Sequence, residues 1–415
     1  MRIIVHPHEL GIGGSQLNAI ELAAAVRDRG HETLVFGRSG PLRQRIDELG
    51  LEFVEAPPQG RRPSIPAARA LAELAERRHI DVIHGYEWPP ILDGVLAAAG
   101  SRSLTVVGTV MSMSVPPFIP HSVPLVVGTA EMREYERAAG RHRTHLLEPP
   151  VDLEFNDPSL VDGAAAFRER FGLDGTGLNI VSVGRFAHEL KLEGILTAIE
   201  VVGALADATG ARLILVGDGP ARGEVERAAD AANRRYGAGT VVLTGPLDDP
   251  RPAYAAADIS LGMGGSALRA LAYGTPLVVQ GENGFWRTLT PASADQFLWT
   301  GWYGIGEGSA AGAARLRNEL APLLSGAPRR ARLGDFGRRL VADRFSLTRA
   351  AAIQERVYRD AIAHPSPRRR LDEAAALCRY SRYYVRKRIR RLRGTTAEDD
   401  FNSRPVTAIN KEAAS

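Results

Sequence analysis

Short apolar runs alternate with longer stretches of helical period along most of the chain. Residues 3–6 form one such run, and the glycine turn Gly11-Ile12-Gly13-Gly14 follows it. Leu17, Ile20, Leu22, Ala23 and Val26 then recur at the spacing that lines one helix face, which predicts a helix over 15–29. Gly30 stands where a left-handed residue closes such a helix. Residues 33–36, 81–84, 104–109 and 125–128 read as further strands, with helical stretches between them. Glu148-Pro149-Pro150-Val151-Asp152 interrupts the alternation, because paired prolines fit neither a helix interior nor a central strand.

Beyond that point the pattern restarts. Strands are expected at 179–183, 212–216, 240–243, 258–261 and 276–279, with helices near 192–206, 221–232 and 267–272. Repeated strand–helix units imply parallel sheets covered by helices on both faces. The expected architecture is α/β, with Rossmann-like domains over 1–150 and 151–345. An amphipathic helix over 346–363, a basic amphipathic helix within 364–393 and a disordered tail over 394–415 complete it.

At 415 residues the chain has room for two such cores, and 44% hydrophobic against 24% charged residues is a globular balance. No run reaches the roughly 20 uncharged apolar residues of a membrane-spanning helix. The N-terminus has neither the apolar stretch nor the cleavage site of a secretion signal. Cys378 is the lone cysteine, so no internal disulfide forms, which fits a reducing compartment and a cytoplasmic location.

The net charge of +4 is unevenly spread. Residues 364–393 hold eleven Lys and Arg against Asp372 and Glu373, residues 394–415 carry −2, and residues 1–363 are left at −3. The basic pI therefore belongs to the C-terminal segment and gives no reason to expect nucleic acid on the main body. Within 371–393 the bases are interleaved with Tyr380, Tyr383, Tyr384, Val385, Ile389 and Leu392. That composition suits an anionic membrane surface, a partner protein or plain solvent. The first option implies peripheral attachment to the inner face of the cell membrane.

Three segments carry candidate chemistry. Gly13 and Gly14 open a helix directly after a strand, where bare backbone N–H groups and the helix dipole suit a phosphate; a tight turn without ligand is the plain alternative. A dinucleotide fingerprint needs a third glycine at 16, and Gln16 stands there, which weakens an NAD reading. Arg185 follows Gly184 at the end of a strand and Lys191 comes six residues later, so a guanidinium fork and a point charge meet at a sheet edge, a pair suited to a diphosphate. The turn Gly217-Asp218-Gly219-Pro220 follows the next strand. In the segment 261–276 another glycine turn feeds a short helix closed by Gly274, and the N–H groups of Gly264, Gly265 and Ser266 face an anion or a sugar hydroxyl. Trp286, Trp299 and Trp302 lie close to Phe285, Phe297 and Tyr303 in sequence, and packing beneath a loop is favoured over sugar stacking.

Taken in order and spacing, these segments resemble the retaining glycosyltransferases of family 4, which have the GT-B fold of two facing Rossmann-like domains. The resemblance covers most of residues 1–362. It implies a nucleoside-diphosphate sugar as donor (a UDP-sugar first), bound in the cleft with its nucleotide on the second domain and its diphosphate on Arg185, Lys191 and the glycine loops. It also implies retention of anomeric configuration and a C-terminal helix that crosses back onto the first domain. The chain departs from the family where two glutamates are usual, since Leu261 and Arg269 stand there. An arginine cannot accept the ribose hydroxyl protons, so Arg269 either touches a phosphate or the donor is held differently. Tyr86 takes the place of a family histidine near the reacting sugar, and Glu87 and Glu282 are the carboxylates to examine. No Asp-x-Asp pair is present, so transfer is expected to need neither metal nor cofactor. The acceptor is left open among a lipid-linked glycan, a cell-surface polysaccharide and a small natural product. A non-catalytic scaffold is the main alternative, with a nucleotide-sugar epimerase or an NAD enzyme behind it.

Overall fold

The apolar runs become the strands of two sheets. The computed structural model describes residues 1–392 except 59, 61, 102, 174, 176, 367 and 368, and beyond them residues 401, 405, 406 and 409. The chain divides into one unit of Met1–Pro149 with Leu347–Ser415 and a second of Pro150–Ser346.

The first unit holds strands β1 (Arg2–His6), β2 (Glu32–Gly37), β3 (Glu52–Glu55), β4 (Val82–Tyr86), β5 (Thr105–Val110), β6 (Leu125–Val127) and β7 (Thr144–Leu146). Helices α1 (Gly14–Arg27), α2 (Arg43–Glu48), α3 (Ile65–Arg78), α4 (Trp88–Ala97) and α5 (Ala130–Ala138) connect them. The seven strands are parallel in the order β3-β2-β1-β4-β5-β6-β7. In that register Ile4 lies between Leu34 and Ile83. Strand alternation sorts the core: Ile3 and Val5 pack on one face with Ile20 and Ala23 of α1, and Ile4 packs on the other with Leu71 of α3.

The second unit holds α6 (Ala164–Arg170), β8 (Asn179–Val183), α7 (Leu192–Thr209), β9 (Arg212–Val216), α8 (Arg222–Tyr236), β10 (Val241–Gly245) and α9 (Arg251–Ala255). There follow β11 (Ile259–Gly262), α10 (Gly265–Ala272), β12 (Leu277–Gln280), β13 (Trp286–Thr288), α11 (Ala294–Thr300), α12 (Gly312–Leu324) and α13 (Ala327–Arg344). The sheet order is β10-β9-β8-β11-β12-β13. Only the β12–β13 pair is antiparallel, a departure from the all-parallel sheet expected. The reason is local: the Asn283-Gly284 turn, with both residues at positive φ, sends the chain straight back.

After Ser346 the chain returns to the first unit as α14 (Leu347–Ala363). Ala350, Ala351, Gln354, Val357, Tyr358 and Ala361 repeat at helical spacing and are buried against α1 and the sheet. The Tyr358 hydroxyl lies 2.7 Å from His84 Nδ1, and His84 Nε2 lies 2.7 Å from Thr109 Oγ1. Burial pushes His84 down to about 3, so this link is neutral at physiological pH. Glu355 accepts from Arg359 and Arg29, which hold its carboxyl down at about 2.

The basic segment is a helix, α15 (Arg369–Leu392). Of the tail expected to be disordered, residues 401, 405, 406 and 409 are described. Val406 is buried and its N–H donates to Met113 O, while Phe401 packs on Phe118 and Tyr383. These two apolar residues sit in a polar stretch and find cover under α15 and the loop after β5. The remaining positions of 394–415 lie outside the described residues.

Each sheet has a point where strand order reverses, between β1 and β4 in one unit and between β8 and β11 in the other. In open parallel sheets the carboxyl-end loops at such a point leave a crevice for a ligand.

Candidate functional site

At the reversal in the second unit the loops after β8 and β11 come side by side. Gly184 and Arg185 follow β8 directly, and Arg185 is exposed. The turn after β9 buttresses this corner: Gly184 N–H donates to Val216 O and Phe186 N–H to Asp218 O. Gly217 and Gly219 have φ of 143° and 157°, and a Cβ on Gly217 would stand 2.0 Å from Gly184 O. Glycine is thus required twice so that one loop can lie on the other. Asp218 is committed to Arg222 at 3.1 Å, so its charge does not engage Arg185.

Lys191 is delivered by strained backbone. Leu190 before it has φ +65°, a left-handed conformation uncommon for a branched side chain. Gln280, at the end of β12, donates to Lys191 O at 3.0 Å, and Glu193 in the first turn of α7 accepts from Asn283 and Gly284 N–H at 2.9 and 2.7 Å. The ammonium is carried back over Gly184, where a Cβ would lie 2.8 Å from Lys191 Nζ. Among the described residues nothing pairs with it. Burial first, and the nearby Arg185 charge second, push its pKa below the usual lysine value.

The third component is α10. Gly264 precedes it at φ 56°, ψ −133°, and no side chain caps the helix. Its first-turn amides are free by helix geometry. The Gly264 N–H, expected to face a ligand, is instead held by Trp302 O at 3.1 Å, because the loop rests on that residue. Trp302 is buried and stacked on Phe297. Phe285 is buried with them against Ala267 and Leu268 of α10, whereas Trp286 packs in the cluster under α7 and α12 and Trp299 is exposed. Arg269 curls back over the helix start, with Nη1 3.4 Å from where a Cβ on Gly265 would stand. The Ser266 hydroxyl donates to Met263 O. Glu282, just past β12, accepts from the Tyr303 hydroxyl.

The second unit therefore brings Arg185, Lys191, Gly264, Gly265, Ser266 and Arg269 to loops of adjacent strands, with Glu282 one strand further along. Gln280 and Glu193 were not singled out in the sequence. A glutamine closing the otherwise apolar strand Leu277-Val278-Val279 was the available signal.

In the first unit the expected site residues are held otherwise. Tyr86 is buried inside the core beneath α14, with its hydroxyl bonded to Thr109, and burial pushes its pKa well up. The expectation that Tyr86 reaches a substrate is corrected: β4 is central and covered on both faces, so all five of its residues are buried. Glu87 is the first residue past the strand. It has φ 68°, ψ 166°, a region populated almost only by glycine. Its Oε1 accepts from Ser15 Oγ and from Met111 and Ser112 N–H, and its Oε2 accepts from Ser112 Oγ at 2.9 Å. Ser15 lies in the first turn of α1, so the chain's own carboxylate already bonds that helix start. Gly13 and Gly14 lie beside it, and a Cβ on Gly14 would meet nothing within 4 Å.

A buried polar group near the end of β1 also escaped the sequence reading. Asp93 Oδ2 lies 3.6 Å from His6 Nε2 and 3.8 Å from Arg62 Nη1, with all three atoms buried. Residues at 6, 62 and 93 share no local pattern that could have announced them. Among the described residues no three His, Cys, Asp or Glu side chains gather as metal ligands, and no helix is long and apolar enough to cross a membrane.

Residues 12–155 match Glycosyltransferase Family 4, and residues 177–295 match Glycosyl transferases group 1. A curated relative, the 2-deoxystreptamine glucosyltransferase of Streptomyces kanamyceticus, is 34% identical over 147 residues, which span 32% of this chain and 36% of that protein. A glycosyltransferase from Rickettsia africae superposes with a TM-score of 0.68 at 15% identity, covering 88% of this chain and 99% of the other. HepE of Anabaena, solved with UDP-glucose, superposes with a TM-score of 0.65 at 16% identity, covering 86% and 99%.

Proposed function

The chain belongs to the family 4 glycosyltransferases, with their GT-B fold, and from that premise we propose that it transfers a sugar from a nucleoside-diphosphate sugar to a hydroxyl acceptor. One observation carries the proposal. Lys191, Arg185 and Arg269 stand unpaired among the described residues around an uncapped helix start, at the reversal point of the second sheet. Cations that no protein group neutralises, one of them partly buried, are costly unless an anion joins them.

A diphosphate supplies that anion. As the anomeric C–O bond breaks, negative charge builds on the leaving oxygen. Arg185, Lys191 and the amides of Gly265 and Ser266 are fixed before the reaction and stabilise that charge without reorganising. Losing one such donor costs about 3 kcal/mol, or roughly a hundredfold in rate. The reaction proceeds under this reading with retention and without a metal, the diphosphate charge being met by side chains and backbone. UDP-glucose is the first donor to try, because the Anabaena neighbour binds it. The acceptor side of the proposal is the Gly13-Gly14 loop, which Glu87 braces through Ser15, with an anionic membrane surface near α15.

Leu261 and Arg269 favour a second reading, a scaffold of the same fold that no longer turns over. Saturation-transfer NMR and calorimetry with UDP, GDP, ADP and dTDP, each with its glucose conjugate, separate the two. Binding of one nucleotide, lost in Lys191→Ala, supports the transferase; no binding by any of the four sinks it.

A further inference from the structure

Helix α15 has two apolar faces, and one is already used. Ala376 is buried, Tyr380 packs on Trp88 and Phe118, and Tyr383 packs on Phe118 and Phe401. Tyr380 also donates its hydroxyl to Arg62 O, and Asp372 accepts from Ser122 N–H. This inner face fixes the helix on the first unit beside the start of α4, and therefore beside the loop that carries Glu87.

The outer face is a different surface. Leu371, Cys378, Val385 and Leu392 recur every seven residues, which keeps them on nearly one line of an α-helix, and Ile389 fills the turn between the last two. All five are exposed, Leu371 at 75% and Leu392 at 83%. The exposed bases Arg382, Arg386 and Arg388 flank this line on both sides. From residue 379 to 391 there are seven Lys and Arg and no acid.

We infer that this outer face lies on an anionic lipid bilayer, with the apolar line dipping into the headgroup–acyl boundary and the arginines on lipid phosphates. Charge sets the choice of partner. A second copy of the helix would bring seven like charges against seven. A nucleic acid would match the bases but leave Leu371, Val385 and Leu392 in water. A bilayer carrying negative headgroups satisfies both, and long basic side chains beside an apolar stripe are what such surfaces hold. The inference extends the membrane partner named above by assigning the face, the inserted residues and the docked orientation. That orientation leaves the Glu87 edge of the first unit next to the lipid, so an acceptor carried on a lipid would be presented there.

The test uses the full chain and does not depend on sugar transfer. Flotation is measured with vesicles of phosphatidylglycerol and phosphatidylcholine, and with phosphatidylcholine alone, at low and high salt. Binding is expected only to the anionic vesicles and only at low to moderate salt. Arg382→Glu with Arg386→Glu should weaken it by roughly tenfold or more per reversed charge. Val385→Glu with Ile389→Glu should weaken it comparably at unchanged far-UV circular dichroism. A polarity-sensitive fluorophore on Cys378, the lone cysteine, should shift to the blue with anionic vesicles. Equal binding to both vesicle types, no fluorophore shift, or a concentration-dependent dimer that Val385→Glu dissolves in the absence of vesicle binding would each overturn the inference. UDP binding measured on the same samples shows whether the donor reading stands independently.

Discussion

In the first unit the charged group at the sheet reversal is fully engaged. Glu87 spends its carboxylate on Ser15, Met111 and Ser112, and its backbone is held in a glycine-like conformation by those bonds. In the second unit three cations at the matching point have no protein partner among the described residues. Arg185 is exposed, Lys191 lies over Gly184, and Arg269 lies over the start of α10. The same topology therefore supports two uses of charge. One edge is closed by an internal anion and ties loops together. The other is left electropositive, and the proposed diphosphate would supply its anion. Site residues are better told apart by what remains unsatisfied than by where they sit in the fold.

The sharpest way to break this comparison is to remove a cation from the open edge. Lys191→Ala, or Arg185→Ala, should lower kcat/KM for transfer about a hundredfold. The melting temperature should hold or rise, because a desolvated unpaired ammonium opposes folding. Turnover assays beside thermal unfolding read both quantities. A large drop in melting temperature with Lys191→Ala would mean that the ammonium is structural.

The closed edge should give the reverse result. Glu87→Ala strips the acceptor from four donors and should cost about 2 kcal/mol of stability. Glu87→Gly should be more stable than Glu87→Ala by about 1 kcal/mol, an order opposite to the usual one, because glycine accepts φ 68° without strain. Denaturant unfolding of the two variants checks the order. If alanine proves the more stable, the conformation at 87 is not strained and the contrast between the edges weakens.

How far the sequence disclosed these edges depends on the range of the signal. The strands at 179–183 and 212–216 were legible to the residue, since buried parallel strands are unbroken apolar runs. The edge strands β3 and β7 were not, because Glu52-Phe53-Val54-Glu55 and Thr144-His145-Leu146 are short and partly polar. Helices α12 and α13 also went unread. Arg185 and Lys191 were found because both follow one strand within eight residues. Tyr86 was misjudged because sequence shows that a residue ends a strand, not that α14, arriving from some 270 residues away, will cover it. The strain at Glu87 has no sequence signature at all.

A third measurement uses the depressed lysine. A diphosphate favours the protonated ammonium, so donor affinity should fall as pH rises through the lowered Lys191 pKa, ahead of the usual lysine range. The limiting slope is about tenfold per pH unit for one coupled proton. Over the same window the unfolded chain binds more protons than the folded one, so folding stability should rise with pH. Lys191→Arg keeps its charge and should flatten the affinity profile. Calorimetric titration of UDP across the alkaline range decides, and an unchanged profile in the arginine variant would remove Lys191 from the diphosphate.

The smallest expected effect is the most discriminating. Arg269 holds a cation over the positive end of α10, against the helix dipole, whereas the start of α1 has the Glu87 carboxylate that the dipole favours. A cation in that position is favourable only with an anion between it and the amides. Arg269→Ala should therefore weaken UDP binding by about fivefold, as for a partly exposed ion contact of roughly 1 kcal/mol, while stability moves by less than about 0.5 kcal/mol. Arg269→Glu should split the two quantities further. The carboxylate suits the helix start and raises stability by a few tenths of a kcal/mol, yet it repels a diphosphate and cuts affinity below that of the alanine variant. Opposite signs in one variant cannot come from general damage. If Arg269→Glu instead binds UDP more tightly, the residue faces the ribose, where a carboxylate can accept the hydroxyl protons, and the third cation of the open edge is lost.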